Sequence, residues 1–308
     1  MKRYFTPFII IFFLLFGMCF FACHQNLSKE QKVISKGVIV DTSRFLKVAN
    51  FVSEEEREKI ISEERLLPNG KKRAKGLKAI PQDNDDFRRV MLDGVYWNGI
   101  HAENSDFRGA SMRSAKCNET NFSYSDFRVA DVRWTLFDRS LLYHCNFAQA
   151  KLFHDHVSDS RLDSSDFRGA NMFGMTGHRV SLKHCDFTNA LMKDVEFTHA
   201  DFSHSMAVHT RFIRAVLTGS KFDDCDLSES DFSGAGLEGV SFKNTRLIDV
   251  QFNGAHLQEA DFSGADLEGC YFFGAEMAET NFTNAKNIPD VIKKHLVNGK
   301  MTGVVLER

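Results

Sequence analysis

Proline is almost missing from this chain. Only four of 308 residues are proline, and none lies between residues 86 and 285. Proline has no backbone N–H to donate, so its absence suits a segment whose backbone pairs continuously from end to end. Catalytic signatures are missing as well. No Ser–His–Asp order, glycine-rich phosphate loop or paired-carboxylate signature stands above the background, so neither an enzyme nor a bound cofactor is expected. The ordinary periods are absent too: residues 86–285 follow neither the 3.6-residue rhythm of a helix nor the alternation of a strand.

What occupies those 200 residues is a five-residue repeat without a slip. Asp106-Phe107-Arg108-Gly109-Ala110 recurs as Asp166-Phe167-Arg168-Gly169-Ala170, as Asp231-Phe232-Ser233-Gly234-Ala235 and as Asp261-Phe262-Ser263-Gly264-Ala265. The register holds for 40 consecutive units centred on residues 87, 92, 97 and onward to 282, and 33 of the centres are Phe, Leu or Met. Two residues before each centre the residue is mostly Ala, Ser, Thr, Val or Cys, and the other three positions are mostly polar. A fixed short period marks a solenoid. Five residues make one short edge and a turn, with one large and one small side chain directed inward. Four edges close a coil of about twenty residues, and stacked coils repeat at about 4.8 Å. The twenty-residue period is visible directly, because residues 87, 107, 127, 147, 167 and 187 are all Phe. From Phe202 to Phe282 the centres alternate between Phe and Leu or Met, except at Ala207, so Phe stacks on Phe.

These units resemble the pentapeptide-repeat family. The resemblance implies an all-β fold, a right-handed quadrilateral β-helix of about ten coils, and is nearly silent about function. Four segments are expected: a signal at 1–22, a tether and helical cap at 23–85, the β-helix at 86–285, and a C-terminal helical cap at 286–308. Ser53 followed by Glu56 forms a capping box that opens a helix over 53–67, stopped by Pro68-Asn69-Gly70. Ile288, Val291, Ile292 and Leu296 recur at helical spacing, which predicts a second helix over 289–298. Both helices are expected to cover the open ends of the solenoid, where strand edges would otherwise be unpaired. Val38-Ile39-Val40 is a β-type run, and the basic stretch 71–75 reads as a solvated loop.

Lys2 and Arg3 followed by the apolar run 7–22 have the layout of an export signal, too short for a membrane span. Its end, Ala22-Cys23, resembles a bacterial lipoprotein signal. The resemblance implies lipidation at Cys23, which predicts a protein exported to the bacterial cell envelope and anchored through an N-terminal lipid. Export removes nucleic acid from the list of partners. Cys145, Cys185 and Cys225 share a column two coils apart, about 9.6 Å, too far for a disulfide. They are expected to be buried free thiols.

The expected function is a non-catalytic scaffold that presents a rigid surface to a protein partner, with homodimerisation through a rod end or face as a further expectation. The candidate contact is a break in the polar surface pattern. Phe153 and Phe173 occupy the same outward position on adjacent coils, with His154, His156 and His178 nearby and Gly177 at an inward centre, which predicts a dented wall. Histidines would weaken such a contact near pH 6, where they gain charge. Two alternatives compete. Residues 216–285 carry 13 acidic and 3 basic residues, slightly like family members that mimic DNA and bind gyrase, but residues 86–215 carry 16 of each. His184, His204 and Asp224 align on successive coils, as three ligands for Zn²⁺ would. The Asp-Arg units at 86, 106, 126 and 166 are expected to pair across coils and set register.

Overall fold

The structure, a computed structural model, describes residues 34–35, 38–39, 52–65, 74–75 and 80–301. The chain divides into two compact units, Met1–Lys47 and Val48–Arg308. In the first, β1 (Ile34–Ser35) pairs antiparallel with β2 (Val38–Ile39), where the β-type run falls. The export signal, Cys23 and the loop 66–73 lie outside the described residues.

The second unit is an all-β solenoid. Parallel bridges join residues twenty apart at every fifth position: Asp86 to Asp106, Met91 to Ser111, Tyr96 to Lys116, His101 to Asn121, and so on to Asp266 with Lys286. Each unit repeats one hydrogen-bond scheme. The Phe87 N–H donates to the Asp106 carbonyl at 2.8 Å, the Asp106 N–H donates back to Asp85 at 2.9 Å, and the Val90 N–H closes a turn onto Phe87 at 3.0 Å. The third residue of that turn, Arg89, has φ +60, and its counterparts along the chain repeat the left-handed conformation, the requirement of a type II turn. One pairing residue between successive turns leaves no room for long strands. The only three-residue strands among the described residues are β5 (Thr176–His178) and β6 (Glu196–Thr198), paired in parallel. The solenoid begins where β3 (Ala74–Lys75) pairs with β4 (Asp85–Asp86).

The core is a set of stacked rings. Phe87, Phe107, Phe127, Phe147, Phe167 and Phe187 form one column with centroids 4.6–5.2 Å apart. Beyond Phe202 there are two Phe columns, 202 to 282 and 212 to 272, whose rings meet edge to face, as Phe202 and Phe212 do at 88°. All five cysteines of the solenoid are buried free thiols, and burial raises Cys145 and Cys225 to about 12. Gly177 leaves no dent: a Cβ there would lie 2.5 Å from Val180 and 2.9 Å from both Phe197 and Val157, so neighbours already fill the space.

The two caps differ from expectation. Helix α1 (Glu54–Ser62) starts as the capping box predicts, with the Ser53 hydroxyl accepting from the Glu56 N–H at 3.1 Å. It ends earlier than residue 67 and lies on the side of the solenoid rather than over its end. At the C-terminus, helix α2 (Asp290–Lys293) is one turn long. A hairpin follows, β7 (Leu296–Val297) with β8 (Lys300–Met301). Its two-residue loop, Asn298 at φ +50 and Gly299 at φ +78, is the asparagine–glycine turn that favours hairpins over helix continuation. Lys300 bridges Asn281 antiparallel, so a strand rather than a helix covers the last edge.

Candidate functional site

The aromatic break in the surface is a compact stack. The rings of Phe153 and Phe173 lie parallel, 5.1 Å apart at 10°. His154 packs edge-on against both, at 4.1 and 5.8 Å. The Nδ1–H of His154 donates to the Gly174 carbonyl at 3.0 Å, and only glycine at 174 leaves room for that imidazole. The two Phe rings occupy the same outward position on adjacent coils and cover each other's faces, so both are half-buried.

An exposed ring of the group belongs to a residue that the sequence pattern did not single out. Trp134 meets Phe153 edge to face at 5.8 Å and is 45% exposed. It sits one coil before His154 in the same turn position, at φ +61, the left-handed conformation that recurs at this turn position along the chain. Arg133 lies 5.2 Å from the indole centroid and is held by both Asp131 oxygens at 2.7 Å. Its twenty-residue offset from His154 was the available signal.

The other candidate residues are not part of this stack. His156 bonds to the Thr176 hydroxyl at 2.9 Å. His178 bonds to the Thr198 hydroxyl at 2.7 Å and meets His199 edge-on at 5.4 Å. His184 and His204 do align, but their rings stack in parallel at 5.0 Å, and the nearest His204–Asp224 approach is 3.8 Å. Stacked imidazoles place their nitrogens side by side rather than around a common point. Among the described residues no group of three His, Cys, Asp or Glu converges on a metal position. No helix among the described residues is long and apolar enough to cross a membrane.

The Asp-Arg units hold something the sequence did not disclose. Each pair closes within its own coil: Arg108 donates from Nε and Nη2 to Asp106 at 2.9 and 2.6 Å, while the carboxylate of the next coil, Asp126, is 3.7 Å away. The expected pairing across coils is therefore secondary. Arg108 is fully buried because its outer edge grips the C-terminal turn of α1, donating to the Ile60 and Glu63 carbonyls, both at 2.8 Å. Arg128 holds the Glu63 carboxylate at 2.9 Å, and Arg88 reaches the Ile61 carbonyl at 3.4 Å. Arg65 donates to the Asp126 coil through the Tyr124 carbonyl. The Ile61 side chain fills the notch over Gly109. Beside α1 runs a groove of about 510 Å³, lined by Arg57, Val129, Gln149, Gly169 and Leu191 among others.

With this geometry established, comparison with known proteins matches part of the solenoid to a family. Residues 175–249 and 208–282 match a model described as a pentapeptide repeat region, and residues 103–139 match a model described as pentapeptide repeats in eight copies. Residues 103–139 and 175–282 are pentapeptide repeats. Similar solved structures include HetL, a pentapeptide-repeat protein involved in heterocyst differentiation regulation from the cyanobacterium Nostoc sp. strain PCC 7120. It is 20% identical over 63% of this chain and 90% of that one, with a TM-score of 0.43. QnrB1, a plasmid-mediated fluoroquinolone resistance protein, is 19% identical over 57% of this chain and 93% of that one, with a TM-score of 0.48. A pentapeptide-repeat protein of the Arabidopsis thaliana thylakoid lumen is 25% identical over 38% of this chain and 80% of that one, with a TM-score of 0.24. No curated protein matches the chain. Other apolar side chains are exposed on the solenoid as well, among them Tyr96, Tyr124 and Phe273, but the Trp134–Phe153–Phe173 group joins three rings in direct contact.

Proposed function

We propose that this chain is a non-catalytic pentapeptide-repeat scaffold, a four-sided, right-handed rod of about ten coils that docks a partner protein at the aromatic corner formed by Trp134, Phe153, His154 and Phe173. The observation that carries this reading is the exposed Trp134 packed edge-on against the stacked Phe153–Phe173 pair, with Arg133 over its indole. Aromatics with a nearby Arg are the residues that most often anchor interfaces. In the same proposal the rod works at the bacterial cell envelope, tethered by a lipid on Cys23, a reading supported by the signal-like layout of residues 1–22 and by Ala22-Cys23. The neutral first half of the solenoid argues against a DNA mimic, which needs a continuous acidic face.

The test is recovery of partners from detergent-solubilised envelope, using wild type and a Phe153→Ser, Phe173→Ser double variant, with Trp134→Ser alongside. Loss of the same partner from both variants, with melting curves intact, is the expected result. Equal recovery by all three removes the corner as the docking site. Mass spectrometry of the mature N-terminus tests the tether: a diacyl or triacyl mass on Cys23 is expected, and Cys23→Ala should leave the membrane fraction. An unmodified N-terminus elsewhere overturns lipidation.

A further inference from the structure

The five-residue unit that grips α1 occurs twice, and its second copy is uncovered. Asp106-Phe107-Arg108-Gly109-Ala110 and Asp166-Phe167-Arg168-Gly169-Ala170 are identical and lie in the same column, three coils apart. Their guanidinium groups are held alike. The Arg168 Nε donates to Asp166 at 2.9 Å, as Arg108 does to Asp106. In both, the Nε lies 3.7 Å from the carboxylate of the following coil, Asp186 or Asp126. The difference is outside. The Arg108 side chain is 0% exposed because the C-terminal turn of α1 sits on it, whereas the Arg168 side chain is 59% exposed. Among the described residues, Arg168 Nη1 has no hydrogen-bond partner. The notch over Gly109 holds Ile61, while a Cβ on Gly169 would meet nothing closer than the Gln149 side chain at 3.5 Å. The groove beside α1 extends along this column and includes Gly169 in its lining.

We infer that Asp166-Phe167-Arg168-Gly169-Ala170 is a second helix-docking site, and that its occupant is the C-terminal turn of a helix from a partner protein. The occupied copy defines the chemistry. Asp166 neutralises Arg168, so the site suits neutral acceptors, the free carbonyls at a helix C-terminus, rather than an anion. The Gly169 notch takes a branched aliphatic side chain at the position of Ile61, flanked by carbonyls spaced as in Ile60 and Glu63. A second copy of this chain is disfavoured as occupant, because its α1 is already used on its own solenoid. This site is separate from the aromatic corner and does not depend on that reading.

The probe is a fluorescein-labelled, helix-stapled peptide with the sequence of residues 53–65, titrated into the full chain and followed by anisotropy. The tethered α1 fills the Arg108 site at high effective concentration, so free peptide reports on Arg168. Saturable one-to-one binding is expected, weakened at least tenfold by Arg168→Ala and by Gly169→Val. The valine variant has a precedent for folding, since Val129 occupies the same turn position of the same column at φ +53. Arg108→Ala should not abolish binding. Absence of saturable binding overturns the inference. So does binding that Arg168→Ala leaves intact and Arg108→Ala changes, which would show exchange with α1 at the first site.

Discussion

Residues in the small inward position follow a rule that explains why Ser, Thr and Cys alternate there with Ala. A serine at this position, Ser230 excepted, donates to the carbonyl twenty-three residues earlier and accepts the N–H twenty residues earlier. Ser140 does both, to Cys117 at 2.9 Å and from Thr120 at 3.1 Å, and Cys185 donates to Leu162 in the same way. Asp155 breaks the rule. It is fully buried, accepts the Thr135 N–H at 2.8 Å with one oxygen, and leaves Oδ2 without a partner. Burial pushes its carboxyl well above the ordinary range. An acid whose folded pKa is raised costs nothing below its ordinary pKa near 4, and the cost grows as pH rises above that value. Asp155→Ser should therefore stabilise the protein at neutral pH by about 1–3 kcal/mol, the penalty of an unsatisfied buried polar group. The gain should shrink as pH falls toward about 4, read from melting curves across that range. Phe167 is the opposite case, fully buried between Phe147 and Phe187 at 5.2 and 5.1 Å. Phe167→Ala should cost about 3–5 kcal/mol in denaturant unfolding, and an unchanged midpoint would contradict the stacked core.

Among the elements, α1 shows how a short polar helix is held. It buries one residue, Ile61, too little to hold nine residues by the hydrophobic effect alone. Its free terminal carbonyls and the Glu63 carboxylate are what bind it: Arg88 and Arg108 donate to the carbonyls and Arg128 to the carboxylate, from a column of donors oriented by Asp86, Asp106 and Asp126. Arg108→Ala would leave Asp106 buried without its partner and the Ile60 and Glu63 carbonyls unmet. A loss of about 3–5 kcal/mol of docking is expected. Limited proteolysis should then cut within residues 52–65 while the solenoid stays intact. Protection equal to wild type would show that Arg108 does not hold the helix.

On the scale of the whole molecule, the two ends of the solenoid are not equivalent. The acidic excess in residues 216–285 lies toward the hairpin end, and near-neutral coils carry α1 and the aromatic corner. Open solenoid ends offer unpaired strand edges to other chains. Lys300 and Met301 cover the last edge, with the Phe282 N–H donating to Gly299 at 2.8 Å and the Met301 N–H to Thr280 at 3.0 Å. Truncation after Ala285 should therefore promote end-to-end association, seen by sedimentation velocity as larger species growing with concentration. A monomer at all concentrations would assign the protection elsewhere.

The repeat, its twenty-residue period and the Phe columns were legible in the sequence, because an inward position recurs at a spacing that no surface residue imitates. So was the start of α1, since a capping box is a local signal. The landing place of α1 was not legible. Arg108 and Arg168 belong to identical five-residue units, and nothing within five residues distinguishes the buried guanidinium from the exposed one. The hairpin at 296–301 was misread as helix because Ile288, Val291 and Ile292 set a helical spacing that Asn298-Gly299 overrides only when an unpaired edge at Asn281 is there to receive Lys300. The aromatic pair was visible as two Phe residues twenty apart, but their mutual covering and the exposure of Trp134 depend on side-chain directions at a turn. Periodicity determined the solenoid because every coil solves the same packing problem. Only the tertiary structure decided which copies of a repeated unit are covered, because that depends on contacts between segments far apart in the chain.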